Sequence, residues 1–127
     1  MRLPRQVPMD TFAAVDLPAQ QALCRLDEVP ESGATAVDAM LADGEESVIV
    51  LRRNGAVHAY VNVCPHAGRR LDYAPGKFLL KGDTLICAVH GATFQQTSGT
   101  CVAGPCCGDA LRELPVSVRD GVVWLDA

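Results

Sequence analysis

The chain has 127 residues, of which 49% are hydrophobic and 20% charged, a composition typical of one globular domain and not of a disordered segment. The net charge of −4 lacks the basic surplus that nucleic-acid binders normally carry, so we expect no nucleic-acid partner. There is no signal-peptide pattern and no membrane span of roughly 18 apolar residues, which predicts a cytoplasmic protein without a membrane partner.

From the N-terminus, residues 1–20 are interpreted as an extension and residues 21–127 as one folded domain. A short strand is expected over 22–29, where apolar residues end at a proline. The acidic segment 31–46 is expected to form a loop with at most one helical turn.

Two hairpins are the strongest local signals. The apolar, β-branched segments 47–52 and 56–61 flank Asn54-Gly55, a pair that suits the positive φ angles of a type I′ turn. Near the C-terminus, Asp120-Gly121 separates two further apolar segments in the same way. Trp124, in the last of these, is expected in the core.

The region between the hairpins is rich in turn residues, and short strands are expected at 84–87 and 92–96. No long 3.6-residue periodicity occurs anywhere in the chain. The fold class is therefore predicted to be all-β.

Two mixed cysteine–histidine pairs carry the chemistry of this middle region. In a Rieske-type 2Fe–2S cluster, two thiolates bind one iron and two imidazoles bind the other. A glycine follows each pair, and we expect it to let backbone N–H groups approach the bridging sulfides, which a Cβ would obstruct. The predicted cluster and metal ligands are Cys64, His66, Cys87 and His90.

Two other interpretations of these four residues are open. A tetrahedral zinc site also uses two cysteines and two histidines, but its usual arrangement pairs like with like, whereas each loop here mixes one of each. Unrelated core cysteines and surface histidines are the second alternative. The agreement of motif, turn context and fold favours the iron–sulfur site.

The segments CPHAGRRLDYAPG and CAVHGATFQQTSGTCVAGPC resemble the Rieske ferredoxins and related small Rieske subunits of bacterial oxygenase and reductase systems. The resemblance extends from about residue 22 to 126. It implies a β-sandwich base with a smaller cluster-binding subdomain, whose loops cover about 62–108. It also implies that Gly104-Pro105 forms a third loop over the cluster.

Departures from the high-potential branches of the family concern four positions. The loop cysteines that form a disulfide in those branches correspond to Arg69 and Val89 here. The serine and tyrosine whose hydroxyls point at the cluster sulfurs correspond to Ala92 and Phe94. Because fewer donors stabilise the reduced cluster, we expect a potential close to about −150 mV rather than about +300 mV.

The resemblance implies an electron carrier rather than an enzyme, passing single electrons from a flavin-dependent reductase to a terminal oxygenase such as a ring-hydroxylating dioxygenase. The principal alternative is the small subunit of a nitrite-reductase-like complex. A Rieske domain of a terminal oxygenase is disfavoured by the length of the chain and the lack of mononuclear-iron ligands. A zinc-bound structural module is the remaining alternative.

Several further residues are expected to lie outside the ligand set. A disulfide between Cys101 and Cys106 is conceivable, but reduced thiols, including Cys107, are favoured in a reducing compartment. Cys24 is expected in the core and His58 on a strand, without a ligand role. Arg69 and Arg70 are either solvated surface charge or a pair of cations that helps to orient a redox partner.

Overall fold

The structure is a computed structural model that describes residues 20–65, 68–89, 91–105 and 108–126. Within those ranges it contains eleven β-strands, one 3-10 turn at Leu26–Glu28 and no α-helix, which confirms the predicted all-β class. The same ranges hold no helix long and apolar enough to cross a membrane. The strands are β1 (Gln20–Arg25), β2 (Gly33–Leu41), β3 (Gly44–Arg53), β4 (Ala56–Val61), β5 (Leu79–Lys81), β6 (Thr84–Ile86), β7 (Thr93–Gln95), β8 (Cys101–Ala103), β9 (Glu113–Leu114), β10 (Val116–Arg119) and β11 (Val122–Asp126).

The strands form three antiparallel sheets with the orders β1-β11-β10, β2-β3-β4-β9 and β5-β6-β7-β8. The first two sheets share a core, called here the base core, which contains Val29, Ala39, Leu41, Val48, Val50, Ala59, Val61, Leu114, Val123 and Leu125. The second and third sheets share another, called here the loop-side core, which contains Ile49, Leu51, Tyr60, Cys64, Leu71, Leu85, Cys87, Ala92, Phe94, Cys101 and Leu111.

Strand β3 explains how the two cores are joined. Successive side chains of a strand point to opposite faces, so Val48 and Val50 enter the base core while Ile49 and Leu51 enter the loop-side core. The run is apolar throughout because both faces of this strand are buried. The sheet of β2, β3, β4 and β9 is therefore the middle layer of the fold.

Both predicted hairpin turns are confirmed. Asn54 and Gly55 have φ angles of 52° and 79° between β3 and β4, and Asp120 and Gly121 have 53° and 74° between β10 and β11. Consecutive residues with positive φ are what a type I′ turn requires, and asparagine, aspartate and glycine tolerate that region best.

The acidic loop predicted for 31–46 is wrong. Strands β2 and β3 pair along this segment, from Gly33 opposite Arg52 to Leu41 opposite Gly44. Small and acidic residues obscure the period-two pattern of β2, whose buried positions are only Ala39 and Leu41. Burial against the base core therefore overrides the weak strand propensity of the segment.

Two smaller expectations also need correction. The strand predicted over 22–29 corresponds to β1, which begins at Gln20 and ends at Arg25, where the chain enters the 3-10 turn. Trp124 is only partly buried, since it lies on the outer face of β11 with the Arg119 guanidinium 4.9 Å from the ring centroid. A cation over an indole face is a favourable arrangement at a surface.

Candidate metal centre

The two predicted cysteine ligands are buried in the same core. Cys64 and Cys87 are each 1% exposed and both belong to the loop-side core. His66 and His90 lie outside the described residues. Among the residues that are described, no group of three or more histidine, cysteine, aspartate or glutamate side chains could hold a metal ion. The complete four-ligand set therefore stays a prediction.

The two cysteine loops are closed by the same pair of hydrogen bonds. In the first, the Cys64 N–H donates to the Arg69 carbonyl at 2.8 Å and the Gly68 N–H donates to the Cys64 carbonyl at 2.7 Å. In the second, the Cys87 N–H donates to the Ala92 carbonyl at 2.7 Å and the Gly91 N–H to the Cys87 carbonyl at 3.0 Å. Donor and acceptor are separated by the same number of residues in both loops. Two separate segments therefore hold a buried cysteine in the same local backbone conformation.

The glycines in these loops are required by their backbone conformation. Gly68 and Gly91 have φ angles of 66° and 75°, a region that residues with a Cβ rarely adopt. A Cβ at either position would meet nothing within 4 Å, and both N–H groups already bond to a cysteine carbonyl. The approach of backbone N–H groups to the bridging sulfides stays a prediction, while the N–H groups of Gly68 and Gly91 themselves close the loops.

Leu71 connects the two loops through its backbone. Its N–H donates to Asn62 Oδ1 at 2.9 Å, and its carbonyl accepts from the Ala88 N–H at 3.2 Å. Asn62 and Leu71 lie at the two ends of the first loop, and Ala88 belongs to the second. The spacing of the loops is therefore fixed through one peptide segment.

Gly104 packs against the second loop, and the third loop over the cluster that the resemblance implies stays a prediction. Its φ is 92°, and a Cβ there would lie 2.9 Å from Ala92 Cα and 3.2 Å from the Gly91 carbonyl oxygen. Both the conformation and the close approach thus exclude a larger residue. Cys106 and Cys107 lie outside the described residues, so the disulfide question is unchanged; the Cys101 sulfur lies 3.3 Å from the Ala103 carbonyl.

The interior beside the cysteines is apolar. Ala92 and Phe94 are fully buried in the loop-side core and have no hydroxyl group to donate. Tyr60 does carry one, but it donates to the Gln96 carbonyl at 2.7 Å. Burial, and secondarily the Glu113 carboxylate, raises the pKa of Tyr60 to about 12. This phenol therefore remains protonated and bound to the peptide backbone at neutral pH.

The two arginines that follow the first loop have different roles. Arg70 donates to Asp72 through Nε at 3.0 Å and through a terminal nitrogen at 2.7 Å, and the Asp72 side chain is only 2% exposed. Burial raises the pKa of Asp72, but the hydrogen bonds from Arg70 and Gly76 outweigh it, so this pKa is lowered on balance. Arg69 is exposed and makes no ion pair or side-chain hydrogen bond with any residue the structure describes.

Sequence reasoning missed Asn62 and Asp72, which support the first loop. Asn62 is 1% exposed, and its amide donates to Ser47 Oγ at 3.2 Å and to Asp72 Oδ1 at 3.4 Å. A polar residue at the end of the apolar strand β4 was the available signal. Its partners could not be deduced, because Asp72 is ten residues away and Ser47 lies on another strand.

Three antiparallel sheets and two matching cysteine loops define a small β-protein of the cluster-binding class. A family model described as the Rieske [2Fe-2S] domain matches residues 19–117. The chain belongs to this family, which confirms the resemblance found in the sequence, and its cofactor is one 2Fe–2S cluster. The buried pair of cysteines within an apolar core fits such a group, since iron–sulfur clusters are held by thiolates.

Known proteins similar to this chain are both short and long. A ferredoxin from Sphingomonas yanoikuyae B1 has a TM-score of 0.70 at 25% identity, over 85% of this chain and 98% of its own. The terminal oxygenase of carbazole 1,9a-dioxygenase from Novosphingobium sp. KA1 has a TM-score of 0.72 at 27% identity. That match covers 85% of this chain and 29% of the oxygenase chain. Oxidoreductase NdmD from Pseudomonas putida is 32% identical over 88 residues, which are 64% of this chain. The chain spans only 14% of the length of NdmD.

Proposed function

We propose that this chain is an electron-transfer protein whose cluster is bound by the sulfurs of Cys64 and Cys87 and by the imidazoles of His66 and His90. The observation that carries the proposal is the matched closure of two buried cysteine loops on one core. A 2Fe–2S cluster of this type supplies one-electron oxidation and reduction. The role proposed for the chain is thus to hold and shield a redox centre.

The surroundings of the cysteines favour a low potential. Both thiols are buried, which keeps water from the sulfur side of the site. The neighbouring Ala92 and Phe94 offer no hydroxyl donor, so the extra negative charge of a reduced cluster would gain little stabilisation there. We therefore expect a potential at the low end of the Rieske range, near about −150 mV.

The proposed partners are a flavin-dependent reductase as donor and a terminal oxygenase as acceptor. The similar proteins include a ferredoxin, an oxidoreductase and a terminal oxygenase, and the ferredoxin is matched over nearly its whole length. Exposed valines in or beside the cysteine loops suit a small and transient contact, as does Arg69, which makes no ion pair with a described residue. These valines are Val63, which precedes Cys64, and Val89, which follows Cys87 by two residues.

Spectroscopy and metal analysis of the purified protein test the site. The dithionite-reduced protein is expected to give the electron-paramagnetic spectrum of a Rieske cluster, with two irons and two acid-labile sulfides per chain, as a 2Fe–2S centre requires. Zinc without sulfide in a colourless protein would contradict the proposal and favour the structural module.

A reconstitution experiment tests the partners. A flavin-dependent ferredoxin reductase of an oxygenase system is expected to reduce the cluster in the presence of NADH, and addition of its terminal oxygenase should reoxidise it. Stable co-purification with a large catalytic subunit, without exchange of electrons with these proteins, would contradict a mobile carrier and favour the nitrite-reductase-like complex.

A further inference from the structure

Asn62 is a buried polar side chain outside the four proposed ligands. Its carbonyl oxygen accepts from the Leu71 N–H at 2.9 Å, and its amide nitrogen donates to Ser47 Oγ and Asp72 Oδ1. Every polar atom of the side chain is therefore engaged. A buried amide with all its hydrogen bonds made is a rigid connection, since breaking one leaves an unsatisfied group in the interior.

The position of this amide in the chain gives the connection its significance. Asn62 and Leu71 flank the first cysteine loop, so their hydrogen bond joins its two ends. The backbone bonds of Cys64 lie inside this closure. The Leu71 carbonyl then accepts from the Ala88 N–H in the second loop. A displacement of Leu71 would therefore move the two loops relative to each other.

The amide is itself oriented by an ion pair. The Asp72 carboxylate is held by Arg70 and by the Gly76 N–H at 3.1 Å, so its Oδ1 is fixed where Asn62 donates to it. If the Asn62 amide rotated by half a turn, its NH2 group would face the Leu71 N–H, and two donors would meet. Only the observed orientation therefore makes hydrogen bonds to both Leu71 and Asp72.

We propose that Asn62 is a positioning residue for the cluster. By fixing Leu71 it holds the two cysteine loops at the separation at which the Cys64 and Cys87 sulfurs bind one iron. This inference rests on the proposed function, because it concerns the same centre. Asn62, which is not itself a ligand, would thus control the relative position of the two cysteine ligands.

The test compares two buried amides of the same chain. Gln96 is 2% exposed and its side chain donates to the carbonyls of Thr84 and Gly82, in the strand pair β5–β6 and its turn. Asn62→Ala and Gln96→Ala each remove a buried amide, but only the first removes the bond to Leu71. Both proteins would be purified with cluster, and thermal unfolding, cluster bleaching and the electron-paramagnetic spectrum would be measured.

We expect Asn62→Ala to lose its cluster roughly tenfold faster than the wild type and to broaden or shift its spectrum. Gln96→Ala should lower the unfolding temperature and leave the spectrum unchanged. If Asn62→Ala behaves as Gln96→Ala does, the positioning role is refuted. If the wild type itself holds no iron and sulfide, the proposed function fails instead.

A polar variant covers the case in which Asn62→Ala does not fold. Asn62→Ser keeps a hydroxyl at this buried position, but its shorter side chain no longer accepts from the Leu71 N–H. It should accelerate cluster loss and shift the spectrum as Asn62→Ala does. A folded Asn62→Ser protein with the wild-type spectrum and bleaching rate would contradict the proposal.

Discussion

The base core and the loop-side core lie on opposite faces of the same strand and differ in how they are held. The base core is aliphatic and rests on the nine residues of β2 and the ten of β3. The loop-side core contains three cysteines and a tyrosine, and the sheet beside it has strands of three residues each. The first rests on long paired strands and an aliphatic core, whereas the second rests on short strands and on the hydrogen bonds that close the cysteine loops.

This contrast means that cluster binding and folding should be coupled on one side of β3 only. Metal binding contributes folding free energy where the ligands are brought together by the metal. The two predicted cysteine ligands belong to the loop-side core, and neither belongs to the base core. Loss of the cluster should therefore loosen the loops and leave the base intact.

Removal of a cysteine ligand has the largest expected effect. Cys64→Ala or Cys87→Ala should abolish the iron, sulfide and visible absorption while circular dichroism still reports the strands of the base. Cys24→Ala is the matched control, since Cys24 packs against the base core and its loss should not change the iron content. A cluster retained at full occupancy in Cys64→Ala would show that this residue is not a ligand.

Two leucine deletions compare the cores directly. Each Leu→Ala change should cost about 2–5 kcal/mol. Leu125→Ala removes a leucine of the base core and should lower the free energy of unfolding without changing the spectrum of the cluster. Leu85→Ala removes one of the loop-side core and should also accelerate cluster loss. Equal bleaching rates in the two variants would contradict separate roles for the cores.

Hydroxyl groups placed in the loop-side core should raise the reduction potential. Ala92→Ser and Phe94→Tyr each add a donor near the cysteines, and an interaction of about 1.4 kcal/mol with the reduced state corresponds to roughly 60 mV for one electron. A redox titration measures the shift. Thr93→Ser is the control, because the Thr93 hydroxyl is directed to the Gly91 carbonyl at 3.0 Å. A clearly positive wild-type midpoint would contradict the low-potential assignment.

The buried phenol between the middle and loop-side sheets should make stability depend on alkaline pH. The pKa of Tyr60 is raised by burial from 10.0 to about 12, so its stabilising contribution is complete below pH 10 and is lost as pH rises through about 12. Tyr60→Phe should lower the free energy of unfolding by about 1 kcal/mol at neutral pH, because the hydrogen bond to the Gln96 carbonyl is lost. The stability of this variant should also lack the alkaline pH dependence. Tyr73→Phe, at a site 60% exposed, should keep it.

The adjacent arginines should give the smallest effects, and of different kinds. Arg69→Glu should slow electron transfer several-fold at low salt and flatten its dependence on ionic strength, because it reverses a cation that we propose to guide the redox partner. Arg70→Glu should mainly lower stability, since it leaves the buried Asp72 carboxylate without its partner. Identical salt dependence in Arg69→Glu and wild type would assign Arg69 to ordinary surface charge.

Local signals predicted much of the fold and of the site. Asn54-Gly55 and Asp120-Gly121 carry their turn conformation in their own chemistry, so both hairpins follow from sequence. The pairing of cysteine with histidine in two glycine-bearing loops singled out Cys64 and Cys87, and the structure places both in one core. The family match then confirmed the resemblance on which the cofactor rested.

The features that could not be predicted depend on distant partners. Strand β2 has a weak local pattern, and only its pairing with β3 and its burial on the base core make it a strand. The support of the first loop by Asn62 joins residues from three segments, so no motif within one segment encodes it. The division of roles between Arg69 and Arg70 likewise depends on the buried Asp72.

Pulsed electron-paramagnetic spectroscopy of the reduced protein, labelled with ¹⁵N-histidine, tests the central claim most directly. Two thiolates and two imidazoles on one cluster predict two strong nitrogen couplings from coordinated histidines, which persist in His58→Asn and fall to at most one in His66→Ala or His90→Ala. A reduced cluster without strong histidine couplings would contradict the ligand set on which the account depends.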